Sequence, residues 1–182
     1  MQKTLIGLFL AVLFILASMT SAGDAFNVGL DLSYAWPSHC AEGEDSAVNV
    51  GAARLQFMNR LHPAFQLINE ITVGRMKIPD DDGIIAGVNE VGRISLYSSK
   101  DQRKRIFLDV GVGINYIGLR LPELTGSAQF TALGGVGFFY KPSGSSLAYV
   151  ASYRLTHISN ASTQQPNIGL NLHTLGISFI FL

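Results

Sequence analysis

A histidine and a serine stand two residues apart near the carboxyl end of the chain, at His157 and Ser159. A serine hydroxyl becomes a nucleophile when a histidine removes its proton and a third group orients the imidazole ring. In a β-strand, residues two apart share a face at roughly 6–7 Å between Cα atoms, which lets such side chains meet. The pair therefore predicts a serine nucleophile if the segment is a strand. The simpler explanation of the spacing alone is the polar end of an ordinary strand.

The composition excludes several classes of protein. Only 14% of the 182 residues are charged, against about 25% in soluble globular proteins. The 13 basic and 13 acidic residues balance, so the basic excess that a nucleic-acid partner requires is missing. Hydrophobic residues make up 48% of the chain, which excludes disorder. An unusually apolar globule or a membrane protein remains.

Apolar residues alternate with small or polar ones along much of the chain, which indicates β-strands. The alternation is clearest over 106–116, where bulky residues occupy the even positions and Asp109, Gly111 and Asn115 stand between them. After the amino-terminal segment there is no run of about 18 apolar residues, so no transmembrane helix is predicted there. Eight strands of roughly 10–14 residues are predicted, within 27–36, 47–58, 65–76, 84–97, 106–116, 129–140, 147–158 and 171–181.

The eight strands predict an all-β fold, an eight-stranded antiparallel transmembrane β-barrel of the outer-membrane type. The aromatic girdles of such a barrel are predicted from residues near strand ends, namely Tyr34, Trp36, Tyr116 and Tyr140. The narrow lumen is predicted to be filled by polar side chains, among them Asp31, Asp109, Asn115, Gln129 and Arg154. A soluble, lipocalin-like barrel with its apolar face turned inward is the alternative.

The amino terminus has the pattern of a secretory signal peptide. Lys3 precedes an apolar run, and small residues follow it at the positions that a signal peptidase requires. Residues 1–22 are therefore predicted to be removed, with cleavage sites up to residue 25, leaving 23–182 as a single barrel domain. An uncleaved membrane anchor is the alternative. Cys40 is the only cysteine; it excludes an intramolecular disulfide and is interpreted as a loop thiol.

The predicted barrel places His157 and Ser159 on its lipid-facing wall, because the apolar residues of the seventh strand occupy odd positions. The same parity in the eighth strand turns Asn171 and His173 outward. At about 3.3 Å per residue and a tilt of about 40°, all four lie at the extracellular interface. Polar groups on a lipid-facing surface are costly without a use, so the cluster indicates a functional site.

This segment resembles the signature of the PagL-type lipid A 3-O-deacylases, which are eight-stranded outer-membrane barrels with the active site on the outer wall. The residues that carry the resemblance are His157, Ser159, Asn160, Ala161, Pro166, Asn167 and Gly169. The resemblance implies that Ser159 is the nucleophile, His157 the general base and Asn160 a contributor to the oxyanion site. It also implies a substrate: the ester-linked 3-hydroxyacyl chain at position 3 of lipid A.

One position departs from the family pattern. Two residues after the motif glycine the family has a glutamate that completes a Ser-His-Glu triad, and here that residue is Asn171. An amide oxygen can still orient a histidine, but it brings no negative charge, so a slower enzyme is expected. Glu123 and His173 are further candidates for an auxiliary role. The four histidines are too scattered to predict a zinc site, and no cofactor or metal is predicted.

The sequence thus predicts a serine esterase in the outer membrane of a Gram-negative cell, with both chain termini in the periplasm. Its predicted partners are lipopolysaccharide and outer-membrane lipid, without nucleic acid. The oligomeric state is not determined by the sequence, which is compatible with a homodimer. A non-catalytic or degenerate structural barrel is one alternative, because the family glutamate is missing at Asn171. An acyltransferase or phospholipase barrel with similar serine and histidine chemistry is the other.

Overall fold

In the part of the chain that the structure describes, eight antiparallel β-strands close into a barrel, in which consecutive strands pair and β1 also pairs with β8. The structure is a computed structural model and describes residues 26–38, 48–121, 124, 126–161, 163 and 169–182. The strands are β1 (Phe26–Pro37), β2 (Asn49–His62), β3 (Phe65–Ile78), β4 (Asp81–Ser98), β5 (Lys104–Ile117), β6 (Ala128–Tyr140), β7 (Leu147–Ser159) and β8 (Leu170–Phe181). The predicted eight-stranded antiparallel barrel is confirmed.

None of the helices in the described residues is long and apolar enough to cross a membrane. The predicted signal peptide and Cys40 lie outside the described residues.

Apolar side chains cover the outer wall of the barrel. On β5, Val110 and Val112 are 57% and 64% exposed, whereas Asp109 beside them is fully buried. Tyr34 and Tyr116 are exposed near strand ends, as an aromatic girdle requires. Because the apolar residues point outward and the charged ones inward, the lipocalin-like alternative is wrong.

A charged layer fills the middle of the lumen. The Arg154 guanidinium donates to both Glu70 carboxylate oxygens, at 3.1 and 3.0 Å, and to Asp109 Oδ2 at 3.0 Å. Arg93 donates to the two oxygens of Asp109 at 2.8 and 2.9 Å. On the β1 side, Arg54 donates to Asp31 at 2.6 Å. The predicted inward side chains are all buried, and their charges compensate one another across the lumen.

Two apolar clusters enclose the charged layer, a feature that the prediction of a polar lumen missed. The cluster at the extracellular end includes Val50, Met76 and Leu172, and the one at the periplasmic end includes Met58 and Phe107. An eight-stranded barrel is just wide enough for side chains to fill it, and apolar side chains exclude water there without needing hydrogen-bond partners. The lumen is therefore a layered core.

The β3–β4 hairpin extends further than the sequence predicts. The predicted strands within 65–76 and 84–97 leave a loop between them, but β4 begins at Asp81, which pairs with Ile78, and the turn is confined to residues 79 and 80. Arg75 and Asp82 form an ion pair on this hairpin. Polar residues can continue a strand here because the backbone groups of β3 and β4 form hydrogen bonds with each other and the side chains are solvated.

Candidate active site

His157 and Asn171 are direct partners in the β7–β8 ladder. The His157 Nδ1–H donates to Asn171 Oδ1 at 2.8 Å. An amide oxygen can only accept, so this bond fixes the proton of the neutral imidazole on Nδ1 and leaves Nε2 as the acceptor. The strand register, which pairs the two backbones, is what brings the side chains together on the outer wall.

Ser159 is the last residue of β7, two residues beyond His157 on the same outer face. It is half-buried, whereas His157 is exposed. Both side chains line one groove on the outer wall. The predicted outward orientation of the pair is confirmed by this placement, which brings a hydroxyl and an imidazole to the same opening.

Gly169 lies against the His157 imidazole. Its φ of +82° is a left-handed conformation, and a Cβ added there would lie 2.6 Å from His157 Cε1 and 3.2 Å from Nε2. Glycine is the residue that accepts such a φ at no steric cost, and only a missing side chain permits this approach. The sequence marked Gly169 as part of the motif, and the structure supplies its physical reason: the missing side chain leaves room for the Cε1–Nε2 edge of the ring.

The chain turns sharply after Ser159. The Asn160 carbonyl accepts from Thr163 N at 3.1 Å and from Thr163 Oγ1 at 2.8 Å. Ala161 adopts a φ of +52°, which is uncommon for a residue with a side chain and marks a constrained position. The Asn160 side chain is buried, with 1% of its surface exposed. The turn thus gives the backbone next to Ser159 a fixed geometry.

His173, a predicted auxiliary residue, belongs to a neighbouring aromatic cluster. Its Nδ1 lies 2.6 Å from the Tyr153 hydroxyl oxygen. Its ring stacks on Trp36 at 5.6 Å and on Tyr153 at 5.9 Å between centroids. These described contacts hold His173 toward β1 and the middle of β7. The other predicted site residues, Glu123, Pro166 and Asn167, lie outside the described residues.

A groove of about 710 Å³ runs across the outer wall from β7 over β6 and β5 to β4. Two rows of paired residues form it. The row nearer the extracellular end contains Ser159, Phe130, Ile114 and Val88, and the row below it contains His157, Ala132, Val112 and Glu90. The lining is mostly apolar, and the short side chain of Ala132 leaves space between the larger residues. The groove joins the hydroxyl and imidazole to a surface that suits a hydrocarbon chain.

Sequence reasoning missed Glu90 as part of this surface. The carboxyl group lies on the lipid-facing wall of β4 and lines the groove at the end opposite His157. A signal was present, because Glu90 has the same parity as Val88 and Ile94 in a strand whose outward positions are otherwise mostly apolar. The irregular alternation of that segment concealed it.

Comparisons with known proteins agree on fold and family. A family model described as lipid A 3-O-deacylase (PagL) matches residues 24–179. The crystal structure of Neisserial surface protein A (NspA) matches at a TM-score of 0.60 with 13% identity, covering 86% of this chain and 96% of that one. The crystal structure of the outer membrane enzyme PagL matches at 0.57 with 14% identity, covering 84% and 97%. No curated protein sequence matches the chain. At these identities the structural likeness shows the fold.

Proposed function

Because the chain belongs to the lipid A 3-O-deacylase (PagL) family, we propose that Ser159, His157 and Asn171 form its catalytic site. As a member of that family, the protein is an outer-membrane ester hydrolase that acts on lipid A in lipopolysaccharide. It resides in the outer membrane of a Gram-negative envelope, as its family and the apolar outer wall of its barrel indicate. The bond cleaved is the ester at position 3 of lipid A, which carries the 3-hydroxyacyl chain.

The hydrogen bond between His157 Nδ1 and Asn171 Oδ1 is the observation that carries this proposal. It directs the basic Nε2 away from Asn171, so that Nε2 is available to the Ser159 hydroxyl two residues along the same face. Asn171 therefore takes the orienting position that the family glutamate occupies, as asparagine does in Cys-His-Asn sites. It supplies no negative charge to the imidazolium that forms during the reaction.

The proposed reaction has two halves. Ser159 Oγ attacks the ester carbonyl carbon while its proton passes to His157 Nε2, and the tetrahedral intermediate collapses as that proton moves to the departing sugar oxygen. Water then attacks the acyl-serine, again deprotonated by His157, and releases the 3-hydroxy fatty acid and free Ser159. The products are a fatty acid and lipid A with a free 3-hydroxyl group.

The oxyanion of the tetrahedral intermediate needs hydrogen-bond donors beside Ser159. We assign this contribution to the turn at Asn160, because Thr163 fixes its carbonyl and so fixes the direction of the following backbone. Preorganised donors stabilise charge that develops in the transition state without reorganisation at that moment. The left-handed Ala161 belongs to the same rigid turn.

Mass spectrometry of lipid A tests the proposal. The full chain is expressed in a Gram-negative host whose lipid A retains its 3-linked chain, alongside Ser159→Ala and a control, Ser33→Ala, on β1 inside the barrel. We expect the wild type and the control to remove one 3-hydroxyacyl chain and Ser159→Ala to remove none. Equal deacylation by Ser159→Ala would reject the serine mechanism. A gain of acyl mass, or lyso-phospholipid in its place, would indicate a different lipid reaction.

Processing and assembly of the mature protein can be tested alongside this function. We propose that residues 1–22 are a signal peptide and that the barrel domain spans 23–182. Amino-terminal sequencing of the outer-membrane form would identify the cleavage site. The sequence is compatible with a homodimer and does not determine the oligomeric state, which the mass of the protein in detergent micelles would measure.

A further inference from the structure

Glu90 places a carboxyl group on the lipid-facing wall of the barrel. Its residue is half-buried, and its Oε2 atom is buried without a hydrogen-bond partner. Among the described residues that line the groove, it is the one carboxyl group. Ionisable side chains within a membrane span are expensive and indicate a function by default. The proposed hydrolysis does not use this group.

The strand register sets the distance from His157 to Glu90. Glu90 pairs with Val112, Val112 with Ala132, and Ala132 with His157. Three inter-strand spacings of 4.7–4.9 Å separate the two ends, or about 14 Å. A fully extended chain advances about 1.2 Å per bond, since the backbone covers ~3.6 Å in three bonds. The distance therefore corresponds to about 12 carbon atoms.

The groove leads from the extracellular end of the barrel toward the periplasmic end, which is the direction in which an acyl chain of the outer leaflet extends from its ester. His157 is ten residues above Leu147, at the periplasmic start of β7, and Glu90 is eight residues above Ser98, at the periplasmic end of β4. Counted from the periplasmic strand ends, Glu90 therefore stands lower on β4 than His157 does on β7. An acyl chain whose ester is at Ser159, near the extracellular interface, descends along this surface toward the membrane centre.

The described lining of the groove ends at Glu90, and the residue that continues its row onto β3 is Asn69, a buried amide. Gly92 is the next outward residue of β4, and a Cβ placed on it would lie 3.2 Å from Cε2 of Phe65. The Phe65 ring of β3 therefore covers the backbone at Gly92. A chain that follows the groove meets the carboxyl group, and one that turns down β4 beyond it meets the Phe65 ring.

We propose that Glu90 determines the acyl-chain length that the enzyme accepts, by ending the apolar groove about 12 carbons from His157. This inference rests on the proposed function, since the occupant is the acyl chain of the scissile ester. Methylene groups up to that length contact Ile114, Val112 and Ala132. Longer chains place methylene groups against a carboxyl group or lift them off the wall, so they gain no further contact with the protein.

The size of the effect follows from the transfer of methylene groups. Each methylene that finds an apolar surface improves binding about fourfold, and one that meets a polar surface does not. We therefore expect kcat/KM to rise with chain length up to about 12 carbons and then to level off or fall. Replacing the carboxyl group by an apolar side chain extends the surface, so the rise continues to longer chains.

The test uses purified full-length protein in detergent micelles and synthetic glucosamine lipids that carry one 3-hydroxyacyl ester at position 3. Four acyl-chain lengths are used: two that are shorter than about 12 carbons, by two and by four carbons, and two that are longer by the same amounts. Glu90→Leu and Glu90→Ala are compared with the wild type. Glu90→Gln keeps a polar end to the groove, and Ile94→Ala changes a lipid-facing residue of the same strand beyond it.

We expect Glu90→Leu and Glu90→Ala to raise kcat/KM for the longest chain relative to the shortest by about tenfold, that is, by roughly two methylene contacts. Glu90→Gln and Ile94→Ala should keep the wild-type ratio. The role of Glu90 would be overturned if the kcat/KM of the wild type rose with chain length without a limit, or if both apolar variants kept the wild-type ratio of longest to shortest chain. In either case the short lipid would still be hydrolysed. Absence of hydrolysis of every chain by the wild type, with the barrel folded, would instead reject the proposed function.

Discussion

The His157 imidazole and the Asn171 amide face each other across the β7–β8 ladder, with 2.8 Å between Nδ1 and Oδ1. This pairing gives the neutral side chain of Asn171 the position of an orienting acid. The contact is direct and lies on the outer wall, so in the proposed site an asparagine orients the ring where the family has a glutamate. What changes is the charge beside the imidazole.

Replacing Asn171 tests that pairing. Asn171→Ala removes one orienting hydrogen bond, worth about 0.5–1.5 kcal/mol, and should lower kcat about two- to tenfold. Asn171→Glu offers a charge-assisted bond, about twice as strong, and should raise kcat by about tenfold. Deacylation rates on purified lipopolysaccharide measure both. If both variants keep the wild-type rate, Asn171 has no part in the reaction.

Gly169→Ala should displace the imidazole. The added methyl group overlaps His157 Cε1 at 2.6 Å, and a displacement of about 1 Å at a catalytic group lowers the rate by about 100-fold. We expect the loss in kcat, with KM little changed.

Gly144→Ala is the matched control for that variant. Gly144 also has a positive φ, +71°, but a Cβ there meets no atom within 4 Å. Both variants carry the backbone strain of a left-handed alanine, about 1 kcal/mol. Equal activities in the two variants would mean that strain, and not contact with the ring, limits Gly169.

Arg154 should dominate the stability of the lumen because it bridges Glu70 and Asp109. Arg154→Met leaves two buried carboxylates short of a cation and should lower the free energy of unfolding by about 3–5 kcal/mol. Urea unfolding in phospholipid vesicles measures it, followed by fluorescence of Trp36, the only tryptophan. Arg103→Gln in the exposed turn after β4, where Arg103 pairs with Asp101, should change stability little. Comparable losses in both variants would contradict the central role of Arg154.

His173→Phe should leave deacylation within about threefold of the wild type. The phenyl ring retains the stacking on Trp36 and loses only the bond to Tyr153. His173 would then be an element of the aromatic cluster and not an auxiliary catalytic group. A fall of about 100-fold with normal folding would restore it to the mechanism.

The sequence was sufficient to predict the barrel and the face on which the site lies. Period-two alternation depends only on which side of a strand is lipid-facing, and the parity of Leu155 and Leu175 carries directly to His157 and Asn171. The inward positions of Asp109 and Arg154 follow from the same rule. These features are local, and a strand preserves them.

Features that depend on contacts between distant strands could not be predicted. The ion pair of Arg154 with Glu70 joins residues 84 positions apart, and their meeting depends on barrel closure and strand tilt. The approach of Gly169 to the imidazole depends on the shape of a turn. Glu90 acquires its place in the groove only once the register aligns it with Val112 and Ala132.

The outward position of the site has a kinetic consequence. The layered core fills the lumen, so in the proposed mechanism substrate reaches Ser159 by lateral diffusion within the outer leaflet, and the released fatty acid departs the same way. The encounter rate is then governed by the number of lipopolysaccharide molecules per unit area, and dilution of the aqueous phase leaves it unchanged. Neighbouring phospholipids compete for the same wall, so the enzyme responds to the composition of the leaflet around it.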